Sequence, residues 1–318
     1  MANKALVTGG AGFIGSTLVD RLLAEGWSVD AVDDLSTGRL GNLADARAVG
    51  DRRFSFHRMD VRSTGLRDVI TRADPDVIFH LAAQIDVRVS VADPILDAEV
   101  NILGSLNVLE SAVAAKVKKV VFASSGGTIY GTPDQIPTPE TAPQLPESPY
   151  GVAKRVVGDY LRFYREARGL EFTALALANV YGPRQDPHGE AGVVAIFAGK
   201  LLQSETSIIF GDGLQTRDFV FVDDVVDAFV RASDKGGGLL LNIGTGVETN
   251  VVQLYQAMAR LAKVKRKPRH EPARLGELER SALDPGRAEI HLGWKPWTSL
   301  DGGLGRTLEH FRALAATA

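Results

Sequence analysis

The sequence predicts an α/β fold, a doubly wound parallel sheet with a smaller C-terminal domain, and three observations carry that prediction. The chain opens on a short apolar run, a glycine-rich turn and a helix; apolar runs then alternate with helical patterns through the first half; and the alternation loosens after residue 178. Such alternation implies parallel strands covered by helices on both faces, because a parallel connection needs a crossover long enough to hold a helix. The first unit reads as a buried strand, Ala5-Leu6-Val7-Thr8, a turn from Gly9 through Gly10-Ala11-Gly12-Phe13-Ile14 to Gly15, and a helix from Ser16 to Ala24. Gly10, Gly12 and Gly15 match the G-x-G-x-x-G spacing, in which a side chain at the turn blocks a pyrophosphate and one at the helix start blocks helix-sheet packing. The turn therefore predicts a dinucleotide cradle of the Rossmann type, its backbone N–H groups and positive helix end facing phosphates. A second run, Ser28 to Val32, ends in Asp33-Asp34, where a ribose-binding acid belongs. Asp33 favours NAD over NADP, since a carboxylate repels a 2′-phosphate.

Five more strands follow: Phe54 to Met59, ending in Asp60-Val61; Val77 to Ala83; Lys119 to Ser125; Phe172 to Leu177; and Leu239 to Ile243, which returns to the sheet after an excursion. Helices are predicted near Pro94 to Ala115, Pro149 to Arg168 and Asp223 to Ala232. Asn179 to Phe221 is a Gly- and Pro-containing segment, and after Thr249 come a helix, a polar stretch and a last helix. The expected division is a cofactor domain of residues 1–178 plus about 222–248, and a smaller domain of about 179–221 plus 249–318.

Composition narrows the function. Apolar residues at 45%, charged residues at 24% and a net charge of -3 describe an ordinary globular protein with no basic field to recruit nucleic acid. The one basic cluster, Lys263-Val264-Lys265-Arg266-Lys267, ends a predicted helix and reads as a solvated face. The absence of cysteine excludes disulfides, thiolate metal sites and a Cys nucleophile, and only weakly favours a reducing compartment. Six scattered histidines without a His-x-x-x-His pair predict no metal site. No apolar run reaches the roughly 18 residues of a membrane span, and the first strand leaves no room for a signal peptide, so a cytoplasmic protein is expected.

In an open α/β sheet the ligand lies beyond the carboxyl ends of the strands. Two segments there carry chemistry. Hydroxyls and glycines crowd Ser124-Ser125-Gly126-Gly127-Thr128-Ile129-Tyr130-Gly131, at the end of a central strand. In Ser148-Pro149-Tyr150-Gly151-Val152-Ala153-Lys154, Tyr150 and Lys154 are four residues apart, on one face of a helix that Pro149 can begin. A phenol with a pKa of about 10 is a poor base at neutral pH, but a neighbouring ammonium favours the phenolate. Taken alone, a surface tyrosine with a lysine one turn away is an ordinary pattern.

With these motifs the sequence resembles the extended short-chain dehydrogenase/reductases, and within them the nucleotide-sugar 4-epimerases, over nearly the whole chain. Further marks are His80-Leu81-Ala82-Ala83-Gln84, Asn101, Asn179-Val180-Tyr181-Gly182-Pro183-Arg184 and Arg217-Asp218-Phe219-Val220-Phe221-Val222-Asp223-Asp224. The resemblance implies 4-epimerisation of a UDP-hexose through a 4-keto sugar, with bound NAD and a homodimer through the Pro94 to Ala115 and Pro149 to Arg168 helices. It makes Tyr150 the base and Lys154 the residue that holds the nicotinamide ribose and lowers the phenol pKa. Gly9, Gly12, Phe13, Ile14, Gly15, Asp33, Asp34, Leu35, Ser36, Gly38, Asp60, Val61, Leu81, Ala82, Ala83, Gln84, Asn101 and Ser124 would line the NAD site. Arg217 and Arg274 would hold the diphosphate and Glu277 the uridine ribose, with Arg88, Ser125, Asn179, Arg184 and Ser281 on the substrate side.

One departure stands out. The epimerases usually carry Ser or Thr four residues before the second tyrosine of the S-x-x-x-Y-G stretch, and this chain has Gly126. Thr128 lies two residues on and, were the stretch extended, would point to the same side, with Ser125 as its rival. The family's 4,6-dehydratases carry an Asp-Glu pair at the positions of Gly127 and Thr128, so elimination of water is not expected. The preferred sugar stays open. Arg184 suits a C6 carboxylate, as in UDP-glucuronate, unless it pairs with Asp186; Ser281 leaves room for an N-acetyl group where some epimerases have tyrosine. A non-catalytic NAD-sensing protein is the alternative of a different class.

Overall fold

The computed structural model describes residues 3–49, 52–187, 192–273 and 278–317. Strands β1 (Lys4–Thr8), β2 (Ser28–Asp33), β3 (Phe54–Arg58), β4 (Val77–His80), β5 (Lys119–Ser125) and β6 (Glu171–Leu177) lie in one sheet. The chain then leaves it for β7 (Asn179–Tyr181), β8 (Ile208–Phe210), β9 (Thr216–Arg217) and β10 (Phe219–Phe221), and returns as β11 (Leu239–Ile243). The seven-stranded order β11-β6-β5-β4-β1-β2-β3 is parallel throughout. With β12 (Thr249–Asn250) and β13 (Arg269–Glu271), the remaining strands form the pairs β7-β10, β8-β13 and β9-β12.

The helices are α1 (Phe13–Ala24), α2 (Ala44–Ala48), α3 (Leu66–Ala73), α4 (Val87–Ala92), α5 (Pro94–Ala98), α6 (Gly104–Ala114), α7 (Gly126–Ile129), α8 (Pro149–Arg168), α9 (Val193–Leu202), α10 (Val222–Ala232), α11 (Val251–Ala262), α12 (Gly286–Leu292) and α13 (Leu300–Thr317). Both sheet faces are covered, which is why the strands read as continuous apolar runs. Side chains alternate across β5: Val121 and Ala123 join a core with Leu18 and Leu22 of α1 and Val225 of α10, while Val120 and Phe122 join one with Val108 of α6 and Val157 and Leu161 of α8.

Several boundaries differ from the sequence expectation. Helix α1 begins at Phe13 rather than Ser16, directly on the turn. The predicted helix from Pro94 to Ala115 carries a π-helical stretch at Glu99–Leu103, which buries Asn101. Helix α4 is not among the expected helices; Asp86 starts it by accepting N–H bonds from Arg88 and Val89, and the N–H-less Pro94 separates it from α5. The Gly126 stretch is a helical turn, not extended. Helix α8 starts as expected, with Ser148 capping the Gly151 N–H and Pro149 in the first turn.

Two buried carboxylates fasten the C-terminal segments. Asp218 accepts from Thr245 N and Oγ1, Gly246 N and Leu283 N, tying three remote segments together. Asp224 accepts from Trp297 N, Thr298 N and Thr298 Oγ1, and its carbonyl accepts from Trp294 Nε1.

Candidate active site

The glycine-rich turn is shaped by close backbone approach. A Cβ on Gly15 would stand 2.0 Å from the Gly9 carbonyl oxygen, and one on Gly9, whose φ is +70°, would stand 2.8 Å from Ala82 N. Gly12 N donates to Gly9 O at 3.1 Å, and no side chain caps α1, so its N-terminus stays open to an anion. Asp33 closes the far side of the cradle. Its Oδ2 accepts from Ala11 N at 3.0 Å and its Oδ1 from Leu35 N at 2.8 Å. Burial pushes its carboxyl up, and these N–H groups pull it back. Gly38 packs on it: a Cβ there would lie 2.6 Å from Asp33 Oδ1. Asp34 folds the loop onward by accepting from Ser36 N and Oγ. The carboxylate of Asp60 is engaged by Arg62 through its backbone N–H and guanidinium and is held below the usual range, while Val61 O accepts from Asn107 Nδ2. These positions fit a bound dinucleotide, since the turn is a cradle that any Cβ would fill.

A buried relay at the end of β4 holds the loop from Leu81 to Gln84. Ser105 Oγ donates to Asn101 O at 2.6 Å, so it accepts from His80 Nε2 at 2.9 Å, and His80 Nδ1 then accepts from Thr8 Oγ1 at 2.7 Å. Thr8 Oγ1 in turn accepts the N–H groups of Leu81 and Ala82. Burial, reinforced by the Lys154 charge, drives the His80 pKa down to about 3, so the ring stays neutral. Asn101 exchanges two bonds with the Gln84 backbone, and both amides donate to Asp97 Oδ1, at 2.8 Å from Asn101 and 3.0 Å from Gln84. Thr8 thus holds Leu81 and Ala82, Asn101 holds Gln84, and Ala83 lies between those anchor points.

Tyr150 and Lys154 occupy the start of α8 as predicted. Lys154 is buried; its Nζ donates to Ala123 O at 3.0 Å, lies 4.8 Å from the Phe122 ring centroid and 5.7 Å from that of Tyr150. Burial lowers its pKa to about 8, opposed by the charge of Asp97. Below that pH it remains a cation beside the phenol.

The substrate-side positions divide. A Cβ on Gly126 would fall 2.4 Å from Leu283 Cδ1, so Leu283 fills the space of the usual hydroxyl-bearing side chain. Because residues 126–129 are helical, positions two apart diverge by roughly 200° instead of sharing a side, and the alternation argument for Thr128 fails. Thr128 nevertheless adjoins the Tyr150 segment: a Cβ on Gly151 would meet its carbonyl oxygen at 2.7 Å. Its Oγ1 donates to Ser125 O at 3.3 Å. Ser124 is buried and Ser125 half-buried. Arg217 Nη1 donates to the carbonyls of Thr216 and Leu278, beside the segment of Arg274 and Glu277, which both lie outside the described residues. Ser281 is buried and Asn179 is exposed, its N–H bonded to Asp218 O. Arg88 sits exposed at the start of α4, paired with Asp86.

The expected pairing of Arg184 with Asp186 is corrected. Nη1 of Arg184 lies 2.6 Å from Asp20 Oδ2 and its Nη2 3.1 Å from Asp45 Oδ2, on α1 and α2, while Asp186 pairs with Arg39 at 2.9 Å. Sequence reasoning also missed Thr8, Ser105, Asp97 and Leu283 as shaping residues. Only Asp97 carries a local signal, its four-residue helical spacing from Asn101.

Known proteins share this architecture. The model of the NAD dependent epimerase/dehydratase family matches residues 5–244. A UDP-glucose 4-epimerase of Mycolicibacterium smegmatis is 52% identical, over 97% of this chain and 98% of that protein. The solved UDP-glucose 4-epimerase of Thermotoga maritima, with UDP-glucose, superposes with a TM-score of 0.94 at 44% identity, covering 98% of this chain and 99% of that one. The Thermus thermophilus UDP-glucose 4-epimerase, in complex with NAD, gives 0.90 at 41% identity over 97% and 99%. A family match across the sheet, the cradle and the Tyr150-Lys154 helix, with relatives aligned end to end, establishes that the chain belongs to the NAD dependent epimerase/dehydratase family.

Proposed function

We propose that the protein interconverts UDP-glucose and UDP-galactose by NAD-dependent 4-epimerisation, through a 4-keto sugar. The observation that carries this is Lys154, a buried cation 5.7 Å from the ring of Tyr150 and held by the Ala123 carbonyl. NAD, when bound, supplies a reversible acceptor for the hydride on carbon 4. Tyr150, as phenolate, takes the proton of the 4-hydroxyl as that carbon becomes a ketone, and returns it when the alcohol is remade. Lys154 favours the phenolate, and Ala123 O and the Phe122 ring keep its ammonium in place. Thr128, next to the start of α8, is the hydroxyl that orients the reacting oxygen, with Ser125 as its rival. Arg217 and Arg274 hold the diphosphate of the nucleotide, and Glu277 its uridine ribose. Epimerisation inverts carbon 4 only if the keto sugar turns over in the pocket, and the cofactor ends as it began.

The division into a cofactor domain, residues 1–178 with about 222–248, and a nucleotide-sugar domain, about 179–221 with 249–318, belongs to this reading. It is supported by the large sheet, which draws all its strands from the first set. A homodimer is also part of it. Val91, Ile95, Leu103, Val152 and Phe163 are exposed apolar side chains on α4, α5, the π-helical stretch and α8, elements that pack on one another. A cytoplasmic location also belongs to this reading, and the cysteine-free composition favours it weakly.

Purified protein incubated with UDP-galactose and no added NAD should form UDP-glucose; failure to do so, with NAD then added and still no product, overturns the substrate. One second reading has a specific observation behind it. Ser281 is small and buried, so the N-acetylhexosamine nucleotides are expected as slower substrates. UDP-glucuronate is disfavoured because Arg184 is engaged by Asp20 and Asp45. The intact Tyr150-Lys154 pair weighs against a purely NAD-sensing role.

A further inference from the structure

We infer that Arg184 and Asp186 form a clasp that keeps the cofactor cradle closed, so that the rate at which NAD leaves the protein is set by their ion pairs. The inference rests on NAD as the bound dinucleotide and not on the identity of the sugar. The loop after β2 is part of the cradle wall. Leu35, with φ +65°, donates its N–H to Asp33; Arg39 N and Asn42 Nδ2 both donate to the carbonyl of Ala11, inside the glycine-rich turn, at 3.0 and 2.9 Å. Ala11 N closes the circuit on Asp33 Oδ2. Opening the cradle therefore means lifting residues 35–43 off Ala11 and Asp33.

The segment after β7 prevents that from above. It crosses to the cradle side with Arg184 at φ +69°, a left-handed backbone uncommon for a residue with a side chain and retained where the surroundings demand it. From there it makes two crossed attachments of opposite polarity. Arg184 reaches Asp20 on α1, whose N-terminus faces the turn, and Asp45 on α2, just past the loop. Asp186 accepts the guanidinium of Arg39, on the loop itself. A cation on the strap meets anions below it and an anion on the strap meets a cation below it, so the strap cannot slide along the loop without opposing like charges. The inner pair dominates: the side chains of Arg184 and Asp20 are 19% and 26% exposed, against 61% and 36% for Arg39 and Asp186. Breaking an exposed pair costs little, whereas burial already raises the Asp20 carboxyl against the pull of Arg184, so removing the guanidinium leaves a partly desolvated charge uncompensated and costs more.

The test measures release of NAD from the purified holoprotein, as free nucleotide appearing over time in the presence of an enzyme that destroys it. Arg184→Gln, and the double variant Asp20→Asn/Arg184→Gln, which leaves no inner charge facing an empty partner, should release NAD at least about tenfold faster, equivalent to about 1.4 kcal/mol. Arg39→Gln, at an exposed position whose loss the fold tolerates, should speed release by roughly two- to threefold, as expected of a surface pair. Arg260→Gln, which breaks the remote Arg260–Asp301 pair, should leave release unchanged. The proposal is overturned if the double variant and Arg39→Gln both hold NAD as long as the native protein, or if Arg260→Gln accelerates release as much as Arg184→Gln. Protein that binds no NAD under any condition would instead sink the cofactor reading itself.

Discussion

The glycine-rich turn with its Asp33 loop and the side of the site around Tyr150 are assembled by different means. The first comes almost wholly from residues 8–42, where these bonds each have a main-chain group on at least one side: Gly12 N donates to Gly9 O, Arg39 N and the Asn42 amide to Ala11 O, and Ala11 N and Leu35 N to the Asp33 carboxylate. The second draws on Thr128 from α7, Tyr150 and Lys154 from α8, Arg217 from β9, and Ser281 and Leu283 from the segment before α12, of which the Leu283 N–H is held by Asp218, next to Arg217. Recognition built from backbone tolerates little change at its glycines, whereas recognition built from side chains can be altered one contact at a time. A fold that must keep one cofactor and vary its sugar is served by that asymmetry.

The comparison breaks most sharply at Gly15. Gly15→Ala puts a methyl group 2.0 Å from Gly9 O, so the variant should fail to retain NAD, read as nucleotide released on denaturation. Tyr150→Phe should leave NAD bound and lower turnover by about 10²- to 10⁴-fold, the range for loss of a general base; a variant that keeps most of its rate would remove Tyr150 from the mechanism. In the native enzyme the rate should fall as pH rises through about 8, since Lys154 then loses the proton that favours the phenolate. Replacing it with the always-charged guanidinium, Lys154→Arg, should remove that alkaline limb from whatever activity survives. On the sugar side, Thr128→Val should cost roughly 10- to 1000-fold if Thr128 orients the reacting oxygen; a larger loss in Ser125→Ala transfers the role. The smallest effect belongs to Ser281→Tyr, which should lose N-acetyl substrates while plain hexoses change by less than about tenfold. Equal loss of both would show that Ser281 does not gate the pocket.

The same asymmetry decides what is legible in the chain. The glycine spacing, Asp33 and the Tyr150-Lys154 turn are readable because each is a short-range pattern with a local cause, and the strands are readable because burial on both faces makes them continuous apolar runs. Thr128 is placed by an alternation that holds only on extended chain, and the helical turn at Gly126 removes that premise. Sequence proximity matches Arg184 with Asp186, when its partners lie 164 and 139 residues away, at Asp20 and Asp45. The relay through Thr8, His80, Ser105 and Asn101 joins separate elements, and no spacing along the chain announces it.

By itself the sequence determined the parallel sheet, the glycine-rich turn and the placing of Tyr150 and Lys154 one helical turn apart, because hydrophobic period, glycine conformation and one helical turn are properties of neighbouring residues. Only the tertiary structure decided that Leu283 occupies the space above Gly126, that Lys154 is a buried cation with Asp97 opposing its loss of charge, and that Arg184 fastens one part of the chain to another. Those outcomes depend on which side chains reach the same few ångströms of space. Packing and desolvation act through distance in the folded molecule, and separation along the chain says nothing about it.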